Sequence, residues 1–329
     1  MKKALTVKEK APTRLSFANG GDTDYYIKLL GAGNCINATI NLFARCEIRK
    51  RNDSKIVLTS KETKHRLVFS SLSEIHYGSR ELNLMKAVAK HYGNTGIEVT
   101  TSTEAPLESG LGGSASHTVA LIKAFDKFNG LKRSPDAVAK LAYHIERDVI
   151  KQSGGYQDQW AAAFTGINYM EFLPGEVKVH PLRINKKIMK ELEKKTLLVY
   201  VKRKKTGHEV HDELKEKSSM RIDILRAKID NVLSVKKTLE TGRIEDFGSL
   251  VSRDWKMKRQ LASCISNSVT DKIYEAAMEA GAFGGRFVGA GAGGCAFFIC
   301  KNKKDVMKAV KKLGAKEIPF KFYSETKHR

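Results

Sequence analysis

From Glu104 the chain reads Glu104-Ala105-Pro106-Leu107-Glu108-Ser109-Gly110-Leu111-Gly112-Gly113-Ser114-Ala115-Ser116, then enters an apolar-periodic stretch holding Val119, Ile122 and Phe125. Glycines let a backbone approach an anion closely, the free amides of a helix start point toward it, and the helix dipole favours negative charge there. The segment therefore reads as a phosphate cradle, with a glycine-rich turn that merely caps a helix as the bland alternative. A G-x-x-x-x-G-K-[ST] loop is excluded, since neither Gly-Lys-Ser nor Gly-Lys-Thr occurs anywhere. Gly110, Gly112 and Ala115 do satisfy G-x-G-x-x-A. That dinucleotide fingerprint needs regular β-α-β context and an acidic residue ~20 positions later, which Asp126 or Asp136 supplies only loosely.

A second loop, Gly289-Ala290-Gly291-Ala292-Gly293-Gly294, matches G-x-G-x-x-G but lies between two expected strands, 286–288 and 295–299. A dinucleotide-binding turn must enter a helix, so the match is false. The small residues instead mean a backbone that something else must approach closely, with tight loop-on-helix packing as the bland alternative. Asp158 follows Gly154-Gly155 among apolar residues, where a carboxylate is either paired or functional. His208-Glu209-Val210-His211 is not H-E-x-x-H and is not read as a metal site. The run Lys202-Arg203-Lys204-Lys205 is either a basic mouth to a pocket or a solvated loop.

Strands are expected at 13–18, 35–48, 55–60, 96–102, 168–172 and 196–201, with a strand–loop–strand over 285–300. Helices are expected at 80–92, 117–129, 135–149, 209–239 with an interruption, 244–262 and 270–280. Loops are expected at 109–116 and 152–156. Strands and helices mix without regular alternation, so the fold class is α+β. A length of 329 residues suits two lobes, and the break at Leu173-Pro174-Gly175 puts their boundary within 173–185, giving domains 1–178 and 179–329.

The net charge of +23 divides as +8 over residues 1–150 and +15 over 151–329, a basic coat more than a patch. No basic stripe with interleaved aromatics is present, so a nucleic-acid binder is the weaker alternative. No stretch approaches the ~18 apolar residues of a membrane span, and Met1 to Lys10 lacks an apolar core of a secretion signal. Five cysteines with no C-x-x-C pair fit a reducing cytoplasm. No membrane partner is expected, and a homodimer stays open.

Taken together, Ala11-Pro12-Thr13-Arg14, Pro106-x-x-x-Gly-Leu-Gly-x-Ser-Ala and the late Gly289 loop resemble, in order, the three signature motifs of the GHMP small-molecule kinases (galactose, homoserine, mevalonate, phosphomevalonate). The heptose 7-phosphate kinase and fucokinase-like branch is the more similar one. Its marks are Ala11 to Ala18 followed by Gly-Gly-x-Thr-Asp, Gly155-Tyr156-Gln157-Asp158-Gln159-Trp160, and Asp254-Trp255-x-x-Lys258-Arg259.

The resemblance implies an N-terminal domain like domain 2 of ribosomal protein S5, a ferredoxin-like C-terminal domain, and ATP- and Mg²⁺-dependent phosphorylation of a sugar or sugar phosphate. A heptose 7-phosphate taken at its anomeric hydroxyl is the leading acceptor; fucose, galactose, mevalonate, or an idle ligand sensor on the same fold are the alternatives. It further implies that Pro106, Gly110, Leu111, Gly112, Gly113, Ser114, Ala115 and Ser116 hold the nucleotide, that Ser114 and Glu146 face Mg²⁺, and that Asp158 is the base with Arg14 at the transferring phosphate. Arg14, Gly21, Thr23, Asp24, Gln157, Asp158, Gly291 and Gly293 would contact the acceptor. Glu146 as a helix-surface acid paired with Lys140, Arg147 or Lys151, and Arg14–Asp158 as a purely structural ion pair, are the bland alternatives. Relative to the family pattern there is an extra residue in Asn19-Gly20-Gly21-Asp22-Thr23, Gly113 stands for a serine, Thr165 and Ala292 for glycines, and Arg286 for a lysine.

Overall fold

The computed structural model describes residues 5–20, 23–78, 82–203, 210, 213 and 221–325, Tyr25 by its backbone alone. Two sheets organise it. The first has seven strands: β1 (Thr6–Ala18), β2 (Gly33–Lys50), β3 (Ile56–Ser60), β4 (Arg66–Phe69), β5 (Ile97–Thr103), β6 (Ile167–Leu173) and β7 (Glu176–Pro181). The 18-residue β2 is long enough to pair β1 on one edge and, on the other, β6 along its first part and β5 along its last. The second sheet is antiparallel, in the order β11 (Lys316–Glu317), β8 (Thr196–Val201), β10 (Gly294–Cys300), β9 (Ala282–Phe287). Mixed layers of this kind are α+β, as expected.

Pro174-Gly175 turns β6 into β7 within one sheet. A domain division after residue 178 would cut β7, so the chain leaves the first sheet after Pro181 and enters the second at Thr196, α6 (Lys186–Lys195) lying between.

The helices that matter for the site depart from their expected bounds. The helix α3 (Gly113–Phe128) starts four residues before the expected His117. Glycine and serine are poor helix formers, and the first turn holds because Ala115 and Ser116 are buried and Ser116 Oγ donates to Pro12 O at 2.7 Å. The stretch expected as one helix over 135–149 is α4 (Pro135–His144) followed by a π-helical turn, Ile145–Val149. Such a turn holds an extra residue and shifts the helix phase; here Ile145 and Glu146 face inward. The Ala-rich helix α5 (Gln157–Phe164) stands where no helix was expected.

Beyond the first sheet lie α7 (Ile222–Thr241), α8 (Ile244–Arg259), α9 (Ser268–Glu279) and α10 (Lys303–Lys311), with α1 (Thr23–Leu30) and α2 (Asn83–Tyr92) preceding them. Three apolar cores result. One lies under α3 against the first sheet, one within the second unit, and a third joins both: Leu15, Phe17 and Ile36 pack with Val235, Phe247 and Phe297. Residues 321–325 return to the first sheet, where Tyr323 N donates to Thr39 O and Phe322 lies against Phe17 at 5.9 Å.

Candidate active site

From Ala11 onward every residue of β1 is buried, α3 covering one face and the shared core the other. Arg14 on this strand is 3% exposed, and a buried guanidinium must be paired. Its partner is Asp158, in the first turn of α5. Arg14 Nε and Nη2 donate to Asp158 Oδ1 and Oδ2 at 2.9 and 2.8 Å, and Nη1 donates to Gly110 O at 2.6 Å. The pair is not sealed, because 23% of the Asp158 side chain faces out into a cleft. Gln157 Nε2 braces the carboxylate, donating to Asp158 Oδ1 at 3.2 Å and to Ser16 Oγ at 2.8 Å.

Above that pair sits the glycine loop. Gly112 caps α3 at φ +78, and a Cβ there would lie 3.3 Å from Asp158 Oδ2. A side chain would be strained in that backbone and would crowd the carboxylate. The first amides of α3 have no partner within the helix, and they open on the same cleft of about 320 Å³. Pro106, Gly110, Gly112, Gly113, Ser114 and Ala115 form one wall, Glu146, Arg147 and residues 152–155 another, and Asp158 lies with Arg14 between them. Leu111 and Ser116, expected among the nucleotide contacts, lie outside that lining. Leu111 packs in the shared core while its carbonyl accepts from Arg14 N at 2.9 Å, and Ser116 ties α3 to β1.

Glu146 is 1% exposed and is no helix-surface acid. Its oxygens accept from Thr118 Oγ1 at 2.7 Å, Gln159 Nε2 at 2.8 Å and Arg147 Nη1 at 3.3 Å, while Lys140 pairs with Asp136. Burial raises the carboxyl above its ordinary range, partly offset by Arg147 and by the Thr118 and Gln159 hydrogen bonds. A desolvated carboxylate and the Ser114 hydroxyl on the same cleft suit a hard cation that keeps several waters, which needs one or two protein oxygens. These residues fit Mg²⁺.

The expected acceptor residues are less uniform. Gly21 lies outside the described residues. Thr23 is fully buried and accepts from Tyr156 N at 2.7 Å, Gln157 is fully buried, and Asp24 on α1 is half-buried outside the cleft lining. They stand behind the cleft wall. Gly291 abuts Ile265 and Gly293 abuts Arg203, and neither lines the cleft, whose lining takes Gly289 and Ala290 from that loop. The late loop instead backs onto the first one. A Cβ on Gly289 would lie 2.8 Å from Gly110 Cα, and one on Gly110 would lie 2.7 Å from Val288 O.

Of the residues lining the cleft, Arg147 and His117 escaped the sequence reading, while Arg203 fits its pocket-mouth alternative. Arg203 is no solvated loop residue: its side chain is 3% exposed, donates from Nη2 to Gly293 O at 3.0 Å, and reaches the cleft between the two glycine loops. Lys204, Lys205, His208 and His211 lie outside the described residues. Arg147 donates to Gln152 O and Gly155 O, at 3.1 and 3.2 Å, and so shapes the loop before Asp158. His117 lines the cleft, and burial lowers its pKa and favours the neutral ring. No sequence spacing links these three.

A glycine loop at a helix start, backed by a second loop and facing a bridged Arg–Asp pair, is an arrangement whose chemistry suits phosphoryl transfer. The chain belongs to the GHMP kinases. The model of the GHMP kinases N terminal domain matches residues 81–166, and that of the GHMP kinases C terminal matches residues 235–318.

The chain is 32% identical to D-glycero-alpha-D-manno-heptose 7-phosphate kinase of Campylobacter jejuni, over 93% of this chain and 94% of that one. It superposes on a crystal structure of a D-glycero-D-manno-heptose 1-phosphate kinase from Bacteroides thetaiotaomicron with TM-score 0.81, at 30% identity and 97% coverage of each chain. Lactococcus lactis galactokinase, at 20% identity and TM-score 0.76 over 97% of this chain and 94% of that one, shares the fold.

Proposed function

We propose that this kinase transfers the γ-phosphoryl group of ATP to a hydroxyl of a sugar phosphate, with a heptose 7-phosphate as acceptor and its anomeric hydroxyl as the site. The observation that carries this is the bidentate Arg14–Asp158 pair beneath Gly112, its carboxylate open to the cleft. In the transfer, the acceptor oxygen bonds the γ-phosphorus, the bridging P–O bond to ADP breaks, and the hydroxyl proton passes to Asp158. The transition state is loose, so the protein chiefly positions groups and neutralises charge. Arg14 holds the carboxylate toward the acceptor, and the α3 amides meet the nucleotide phosphates. Mg²⁺, held by Ser114 and Glu146, would neutralise phosphate charge. Likeness to the two heptose-phosphate kinases supports the choice of sugar.

A panel of heptose 7-phosphate, fucose, galactose and mevalonate, each with ATP and Mg²⁺ and followed by ADP release, tests the reading. Turnover is expected with the heptose phosphate. Turnover confined to an unphosphorylated acceptor would replace it.

A further inference from the structure

The helix α8 holds two buried charges one turn apart, Asp254 and Lys258, that phosphoryl transfer does not use. Asp254 is fully buried between two cations. Lys228 Nζ from α7 donates to Oδ1 at 2.7 Å, and Arg286 Nη1 from β9 donates to Oδ2 at 2.5 Å. Burial pushes the carboxyl up, and Lys228 and Arg286 more than offset this, holding it below its ordinary range.

The cluster also grips one residue of the first unit. Asn19 N donates to Asp254 Oδ1 at 3.2 Å and Asn19 O accepts from Arg286 at 3.2 Å. Asn19 itself sits at φ +55, a conformation that costs a non-glycine residue and needs such support. The next residue, Gly20, faces Ser16 Oγ and Gln157 Oε1, at 3.6 and 3.8 Å from a Cβ placed there. Gln157 in turn braces Asp158. Asp254 thus reaches the acceptor side of the cleft through Asn19.

Lys258 reaches the other side. Its Nζ donates to Gly289 O at 2.6 Å. Gly289 lines the cleft and lies against Gly110, whose carbonyl Arg14 holds. The helix is itself seated tightly, since a Cβ on Gly284 of β9 would fall on the Gly248 carbonyl of α8.

We infer that α8 is the spacer between the two halves of the reaction: Asp254 positions the acceptor-side loop through Asn19, and Lys258 positions the donor-side loop through Gly289. Both are positioning residues, and the inference rests on the cleft being a phosphoryl-transfer site. Apolar residues of equal volume commonly stabilise a core as well as a buried ionic cluster does. What they cannot supply is a directed grip on a particular amide and carbonyl.

The test uses Asp254→Asn and Lys258→Gln in the full chain, with Arg286→Lys and Lys258→Arg as conservative variants that keep the charge should the first pair fold poorly. Hydrogen exchange without ligand is measured at Asn19 and at residues 288–290, and KM is measured for ATP and for the acceptor found active in the panel. Asp254→Asn is expected to speed exchange at Asn19 and raise the acceptor KM by about tenfold, leaving the ATP KM nearly unchanged. Lys258→Gln is expected to do the reverse, loosening 288–290 and raising the ATP KM. The conservative variants should give the same split, smaller. Parallel shifts of both KM values in both variants, or exchange that changes equally at both loops, overturn the inference. Should no acceptor in the panel be active, the heptose-phosphate reading fails, yet the exchange pattern still decides whether each residue holds its own loop.

Discussion

At Asp158 chemistry and structure share one carboxylate, and substitution separates them. Asp158→Asn keeps a neighbour for Arg14 but cannot take a proton. Turnover is expected to fall by on the order of 10² or more with nucleotide binding retained, measured by steady-state kinetics beside nucleotide titration. Glu146 gives a second prediction. Its folded-state pKa is raised, so its contribution to stability is full below the unfolded-state value and is lost as pH rises through the folded one. Thermal midpoints without metal should decline across that interval, Glu146→Gln should remove the decline, and Mg²⁺ should stabilise wild type more on its alkaline side. At this scale the family resemblance singled out Arg14, Ser114, Glu146 and Asp158, and the structure brings all four to one cleft. Arg147 and the pairing of Asp254 with Lys228 and Arg286 were not legible in the sequence, since partners 26 and 32 residues apart meet only through tertiary packing.

Among the elements, the two glycine replacements read from the sequence acquire a physical cost. Thr165 caps α5 at φ +56 and Ala292 sits in the late loop at φ +59, both in the left-handed range. Side chains there are strained by roughly 1–2 kcal/mol. Ala292→Gly is therefore expected to raise stability by about 1 kcal/mol, read as a higher denaturant midpoint, while Thr165→Gly should gain less because Thr165 Oγ1 accepts from Glu325 N. Strand positions were largely legible, Thr196–Val201 to the residue, because alternation and apolar runs mark them. Helix starts and phases were not. Small residues open α3 against their own propensity, and a π-helical turn that no periodicity announces carries Glu146 inward.

For the molecule as a whole, a charge of +23 predicts attraction to any polyanion without specificity. Titration with duplex DNA should give weak binding that disappears in moderate salt, log K falling linearly with log salt concentration; tight binding surviving that salt would require a dedicated surface.

The third core has a kinetic corollary. Phe17 of β1 is covered by Phe247, Phe297 and Phe322, residues made roughly 230 to 305 positions later. At about 5–20 residues per second on the ribosome, the nascent first sheet waits tens of seconds with that aromatic face bare. Chaperone holding during translation, more than intrinsic refolding speed, would then govern how much enzyme a cell recovers.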